Sequence, residues 1–235
     1  MNDPATDTVT TLTLLQYKRR YIPFAFLGMV LFRFPLMLHR QIRFWRLMGS
    51  GKNGTFDKTP DLQQWAILGV YAADFFKPET ETPFLRQAYG SFIYRWIRFF
   101  GLKSHTYLLQ PLESHGLWNG KKVFGELPRN TAYEGEIAVL TRATIRLNKL
   151  SRFWAHVPDA ATEMAQAEGF ITSYGVGEWP WVKQATFSLW TSKEAMRQFA
   201  YKSTYHKEVV QKTHREKWYS EEMFTRFRVL KELKF

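Results

Sequence analysis

The same order of segments runs twice through this chain, and that repetition limits the fold more than any single motif does. Val9 to Gln16 alternates like a β-strand, an aromatic helical tract follows and ends in Arg43-Phe44-Trp45, and Gly49-Ser50-Gly51 marks a turn. Trp65 to Ala72 then reads as a strand, about Pro83 to Phe100 as a helix, and Thr106 to Gln110 as a strand. The second half repeats the order. Ile137 to Leu147 is a strand, Arg152-Phe153-Trp154 opens a helix through about Ala167, and Gly175-Val176-Gly177 makes the turn. Gln184 to Trp190 is a strand, Ser192 to Lys217 a long helix with Ser192 as N-cap, and Phe224 to Leu230 the last strand.

Two β-α-β-α-β units of about 110 residues each are the pattern of an α+β protein built from tandem ferredoxin-like modules. Each helix pair covers one face of a small antiparallel sheet, and the uncovered faces need burial. Packing them against each other makes an α+β barrel. This divides the chain into an N-terminal module over 1–115, a linker over 116–135 rich in Gly, Asn, Lys and Pro, and a C-terminal module over 136–235.

A hydrophobic fraction of 45% with 20 Phe excludes disorder as a description of the whole. Nine Trp and 11 Tyr beside them suit a bulky, flat or greasy ligand, although an aromatic core accounts for the same residues. No cysteine is present, which removes disulfides, thiolate nucleophiles and sulfur-bound clusters. The net charge of +12 asks for an anionic partner. Lys18-Arg19-Arg20 and Lys121-Lys122 are the densest basic groups, neither lies in a nucleic-acid motif, and no nucleic-acid partner is expected.

The opening residues lack a basic n-region, so a cytoplasmic location is the expectation. Tyr21 to Leu38 is strongly apolar but holds Arg33, Pro23 and Pro35, and its uncharged run ends at Phe32, short of the ~20 residues of a spanning helix. Flanked by basic residues, residues 18–46 read either as a buried helix against a sheet or as a peripheral contact with the inner face of the cell membrane.

In the long C-terminal helix Met196, Phe199, Ser203, His206, Val209, Val210 and Thr213 share one stripe, which turns His206 inward. A buried imidazole in a chain without cysteine is one way to hold haem iron from one side; a hydrogen-bonded core histidine is the other reading of the same position. Gly-x-Ser-x-Gly, Walker, His-Glu-x-x-His and Gly-x-Gly-x-x-Gly motifs are absent, and adjacent Glu221 and Glu222 point to opposite faces of a strand, a poor acid/base dyad.

Several blocks, in order, resemble the spheroidene monooxygenase family of carotenoid-modifying enzymes: Arg43-Phe-Trp45 with Met48-Gly-Ser-Gly51, Leu108-Leu-Gln-Pro111, Ala138 to Ile145, Arg152-Phe-Trp154, Gly175-Val-Gly-Glu178 with Thr186 to Trp190, and Trp218 to Leu230. The resemblance spans nearly the whole chain. It implies a dimeric α+β barrel-type fold and a monooxygenase that uses haem b, O2 and an external electron donor to introduce a keto group into an acyclic carotenoid or similar hydrophobic substrate. It also makes His206 the first choice as axial metal ligand; Phe199, Val210, Phe187 and Trp190 are the cofactor-lining candidates beside it, and Trp190, Phe187 and Trp181 could line a pocket for haem or polyene or equally be core residues. Alternation on the strand from Ile137 puts Arg142 beside Thr144 and Arg146, and Arg142 becomes the catalytic candidate serving bound oxygen if that side faces the haem. A surface arginine or propionate anchor is its other reading. The alternatives at the level of function are a peroxidase-like or dehydratase-like haem enzyme of the same fold, a non-catalytic haem-binding protein, and a cofactor-free lipid or membrane-surface module. A homo-oligomer is compatible with all of them.

Overall fold

The computed structural model describes residues 7–52, 57–76, 82–202 and 204–235, with side chains for all of these except 201, 202, 204–208 and 210. The first half runs β1 (Thr8–Gln16), α1 (Ile22–Leu31), α2 (Arg33–Leu38), β2 (Phe44–Gly51), β3 (Pro60–Ala72), α3 (Phe84–Phe100) and β4 (Lys103–Gly116). The second runs β5 (Ile137–Ile145), α4 (Leu150–Gln166), β6 (Phe170–Trp179), β7 (Lys183–Trp190), α5 (Lys193–Lys202), α6 (Thr204–Arg215) and β8 (Tyr219–Lys234).

The strands form a closed barrel in the order β1-β3-β2-β6-β7-β5-β8-β4, every neighbouring pair antiparallel. Each half contributes four adjacent strands in the same relative order, β4-β1-β3-β2 and β8-β5-β7-β6, so the duplication read from the sequence is present in the topology. Closing the barrel pairs β4 with β8 along most of their length and β2 with β6 at two residue pairs, which lessens the aggregation hazard of two open four-stranded sheets.

The observed unit carries one strand more than the β-α-β-α-β expectation. Gly49-Ser50-Gly51 and Gly175-Val176-Gly177, read as turns, lie inside β2 and β6, and they are where the two halves join: Gly49 pairs with Gly177 and Ser50 with Val176. Glycine carries no side chain to register the alternation of a strand, so it reads as punctuation. At Gly177 the reason for glycine is close approach, since a Cβ there would lie 2.9 Å from the Gln184 amide and 3.0 Å from the Lys183 carbonyl oxygen. The expected helix from Ser192 is described over Lys193–Lys202 (α5) and Thr204–Arg215 (α6), position 203 lying outside the described residues, and Ser192 caps it: the Ala195 amide donates to its Oγ at 3.1 Å.

Strand alternation separates three apolar clusters. Leu12, Leu14, Met48, Leu68, Leu140 and Phe187 fill the barrel interior. Outside, α1, α2 and α3 cover the first half's sheet over Leu15, Leu47, Ile67 and Ile93, and the second half's sheet meets α5 over Ile137, Val139 and Trp190. Residues 116–135, expected as a linker, close the barrel: Trp118 and Phe124 are 0% and 2% exposed and belong to the interior cluster. The Phe124 ring meets Phe227 edge-on at 5.1 Å, and Thr8 Oγ1 donates to the Phe124 carbonyl at 2.8 Å.

Candidate functional site

On the outer face of the second half, β5 and β7 present Ile137, Val139 and Trp190 toward α5. Helical spacing from the Ser192 cap brings Met196, Phe199 and Ala200 onto that face. Phe199 stacks on Trp190, centroids 5.3 Å apart and planes at 28°, and Phe170 meets the same indole edge-on at 5.5 Å. Trp190 is held in place by its Nε1, which donates to Ser188 Oγ at 3.0 Å. The backbone of α6 carries His206 and Val210, whose side chains lie outside the described residues.

At the edge of this face sits an ion cluster that sequence reasoning missed. Glu113 of β4, 2% exposed, is bound by Arg226 of β8 and faces Lys193 at 3.5 Å. Lys193 Nζ also donates to Asn130 Oδ1 at 2.8 Å and to the Thr131 carbonyl, and burial pulls its pKa down from the ordinary lysine value. Two cations share one carboxylate. The Arg226 Nη2 lies 4.0 Å from the Met196 sulfur of α5, and its buried Nε has no hydrogen-bond partner among the described residues. Alternation along Phe224, Arg226 and Arg228 was the available signal; the partner Glu113 lies 113 positions back in the chain and leaves none.

Arg142 is elsewhere. Its neighbours Ala138 and Leu140 line the barrel interior, and Arg142 shares their side of β5, opposite to the side that meets α5. The sheet therefore lies between Arg142 and the helix that carries His206. It is 1% exposed, bonded to Glu221, 3.3 Å from Asn119 Oδ1 and 3.5 Å from Glu178 Oε1, with its guanidinium 5.6 Å from the Trp118 ring centroid. Glu178 in turn accepts from Arg46 Nε and Trp118 Nε1, each at 2.7 Å. Burial raises the Glu221 carboxyl, but amide donation from Asn119 and Gly120 and the Arg142 charge outweigh it, and the net shift is downward. As expected from alternation, Glu221 points inward and does not form a dyad with Glu222.

Phe187 also faces the barrel interior, 5.0 Å from Tyr107, so the sheet separates it from Trp190 and Phe199. Trp181 stands at the β6–β7 hairpin with a φ of 61° and donates to the Lys58 carbonyl at 3.2 Å, away from the Trp190 face. Among the other histidines, His105 bonds Glu232 at 2.7 Å and lies 3.3 Å from Tyr174 Oη, with burial the main cause of a lowered pKa. His115 stacks on Phe224 at 5.2 Å, at the border of the Trp190 face. No group of three or more His, Asp or Glu suited to a bare metal ion occurs among the described residues.

These features define an α+β protein whose closed eight-stranded antiparallel barrel is of the kind found in aldoxime dehydratases. One such structure, in complex with butyraldoxime, is 10% identical with a TM-score of 0.63 and covers 99% of this chain and 83% of its own. A second aldoxime dehydratase is 11% identical at a TM-score of 0.61, covering 100% and 86%. At such identities the likeness concerns the fold. No family model matches the chain.

In sequence, the chain is similar to three proteins named spheroidene monooxygenase. The spheroidene monooxygenase of Cereibacter sphaeroides is 34% identical over 189 residues, 80% of this chain and 56% of that protein. That of Rhodobacter capsulatus is 29% identical over 212 residues, 89% and 84%, and that of Rubrivivax gelatinosus 29% over 191 residues, 79% and 68%. The chain thus spans little more than half the length of the first of these relatives.

Proposed function

We propose that this protein is an oxidoreductase, a haem-dependent monooxygenase that introduces a keto group into an acyclic carotenoid or a similar hydrophobic substrate. The names of its relatives support the reaction, and the strand order common to the two halves of this chain supports reading each four-stranded half as a ferredoxin-like module. The observation that carries the cofactor reading is the α5-covered face of the second half. It is aromatic and buried, it lies beside the helical segment that bears His206, and at its edge a buried arginine nitrogen lacks an acceptor among the described residues. A flat, greasy cofactor with carboxylate arms, bringing its own ring nitrogens for the metal, suits these residues better than a bare ion does.

In this reading His206 would hold the iron, the stacked Trp190 and Phe199 would form an apolar wall, and Arg226 would offer its Nε–H to a carboxylate. When bound, haem supplies the redox chemistry of O2 with electrons from an external donor. The chain's own work is to keep water away through Ile137, Val139 and Met196 and to balance charge through the excess cation of the Glu113 cluster. Arg142 keeps a bracing role inside the barrel.

Titrating the purified protein with haem and recording its absorption spectrum tests the proposal. A Soret band that His206→Ala abolishes while the circular dichroism spectrum stays unchanged is the expected result, with a ketocarotenoid formed by the wild type from an acyclic precursor. No Soret band in the wild type, or an unaltered one in the variant, overturns the cofactor assignment.

A further inference from the structure

The basic residues look scattered along the sequence, but their excess is confined. Positions 8–52 hold eight Lys and Arg and positions 83–112 hold four, with no Asp or Glu in either segment. The rest of the chain then carries 21 Lys and Arg against 21 Asp and Glu, so these two segments account for the whole net charge of +12. The fold places them together: they supply α1, α2 and α3, the layer over the first half's sheet.

The same layer exposes the chain's largest run of apolar side chains. Arg19–Leu38 is 20 residues long and its most apolar 18-residue stretch has a mean hydropathy of 1.7, enough by length and composition to cross a membrane, yet it folds as a short turn and two helices. Ala25, Gly28, Phe32 and Leu36 pack inward. Their neighbours Val30, Phe34, Met37 and Leu38 face outward at 57–81% exposure, and from α3 Phe99 does so at 83%. Ring contacts tie the helices into one surface: Phe24 lies 4.9 Å from Phe100, which lies 4.9 Å from Phe99. A helix that is apolar all round belongs in a core or in lipid, and this pair has only one side in a core.

Exposed Lys18, Arg19, Arg20, Arg33, Arg40, Arg95 and Arg98 lie on or beside these three helices. An apolar centre with basic residues and no carboxylate in its segments is complementary to a bilayer with anionic headgroups, where aromatic and aliphatic side chains enter the acyl boundary and Lys and Arg meet the phosphates. We infer that the α1–α2–α3 face docks the protein on the surface of an anionic membrane. This stands on the surface alone and holds whether or not the substrate is a carotenoid.

Sedimentation with vesicles of mixed phosphatidylglycerol and phosphatidylcholine tests it with the full chain. Binding at low salt that fades as salt is added is expected, with weaker binding to phosphatidylcholine alone. Because Met37 and Phe99 are exposed, the double variant Met37→Ser/Phe99→Ser should keep its melting temperature and lose at least about ten-fold in vesicle partitioning. Arg95→Gln/Arg98→Gln, also on the surface, should weaken binding and flatten its salt dependence. The inference is overturned if the wild type does not bind anionic vesicles at low salt, or if it binds and the exposed substitutions leave partitioning unchanged. It is equally overturned if the wild type is a dimer that the Met37/Phe99 variant dissociates without vesicle binding by either, since a second copy would then cover the face.

Discussion

Replacing Arg142 with alanine should destabilise the whole barrel. The guanidinium is 1% exposed and holds Glu221, Glu178 and Asn119 from the centre of a network that includes Arg46 and the indole of Trp118. Breaking a fully buried ion pair costs about 3–5 kcal/mol, because one charge is left without compensation. Here the remainder is milder. Glu221 keeps the amides of Asn119 and Gly120 at 2.8 and 2.9 Å, Glu178 keeps Arg46 and Trp118, and the Glu221 side chain is 24% exposed. The truncated side chain also leaves a void under Trp118. Together these give a loss of about 2–4 kcal/mol, which for a chain of this size lowers the melting temperature by about 4–16 °C. Thermal melts of Arg142→Ala, Glu221→Gln and the double variant form a cycle, with a coupling of about 0.5–3 kcal/mol expected for residues in direct contact. A melting temperature within a degree of the wild type for Arg142→Ala, or no coupling in the cycle, would refute the bracing role. Turnover lost in a variant whose stability is intact would instead return Arg142 to the reaction.

Two further outcomes follow from the same structure. Trp118→Ala and Phe124→Ala, in the segment that closes the barrel, should each cost about 3–5 kcal/mol, against near-zero effects for a true interdomain linker, as read from urea denaturation. Alkali should also unfold the protein: burial raises the Tyr17 and Tyr89 phenols to about 12, each raised above its unfolded value of 10.0, so their stabilisation is complete below pH 10 and disappears as pH climbs through 12. Tyr89→Phe removes one of these phenols and should make the fall in melting temperature between pH 9 and 11.5 shallower; an unchanged slope would contradict this.

The doubled order of strands and helices was legible because β1, β3, β5 and β7 carry alternating or continuous apolar residues, the strongest local signal for a strand. β2 and β6 were not, because glycine replaces side chains where the two halves meet. The pairing of Trp190 with Phe199 was within reach of helical and strand periodicity, and so was the divergence of Glu221 from Glu222. The side of the sheet to which Arg142 and Phe187 belong was not: alternation says which residues share a face, while which face turns inward depends on strands from the other half. Glu113 with Arg226 and Trp118 with Glu178 are likewise contacts between distant segments, to which no local pattern corresponds.

The two seams that join the halves are unequal. β4 and β8 pair along most of their length, from His105 with Lys234 to Gly116 with Met223, whereas β2 and β6 meet only at Gly49 with Gly177 and Ser50 with Val176, helped by Ser50 Oγ donating to the Gly175 carbonyl at 3.1 Å. The barrel is therefore a clasp rather than a rigid ring. Each half can assemble its own four strands early, the long seam then zips them side by side, and the glycine seam snaps shut last, after the greatest loss of loop entropy. By the same reasoning it is the first to part in the native state, so the breathing of this barrel is one-sided, centred on two glycines and the serine between the halves.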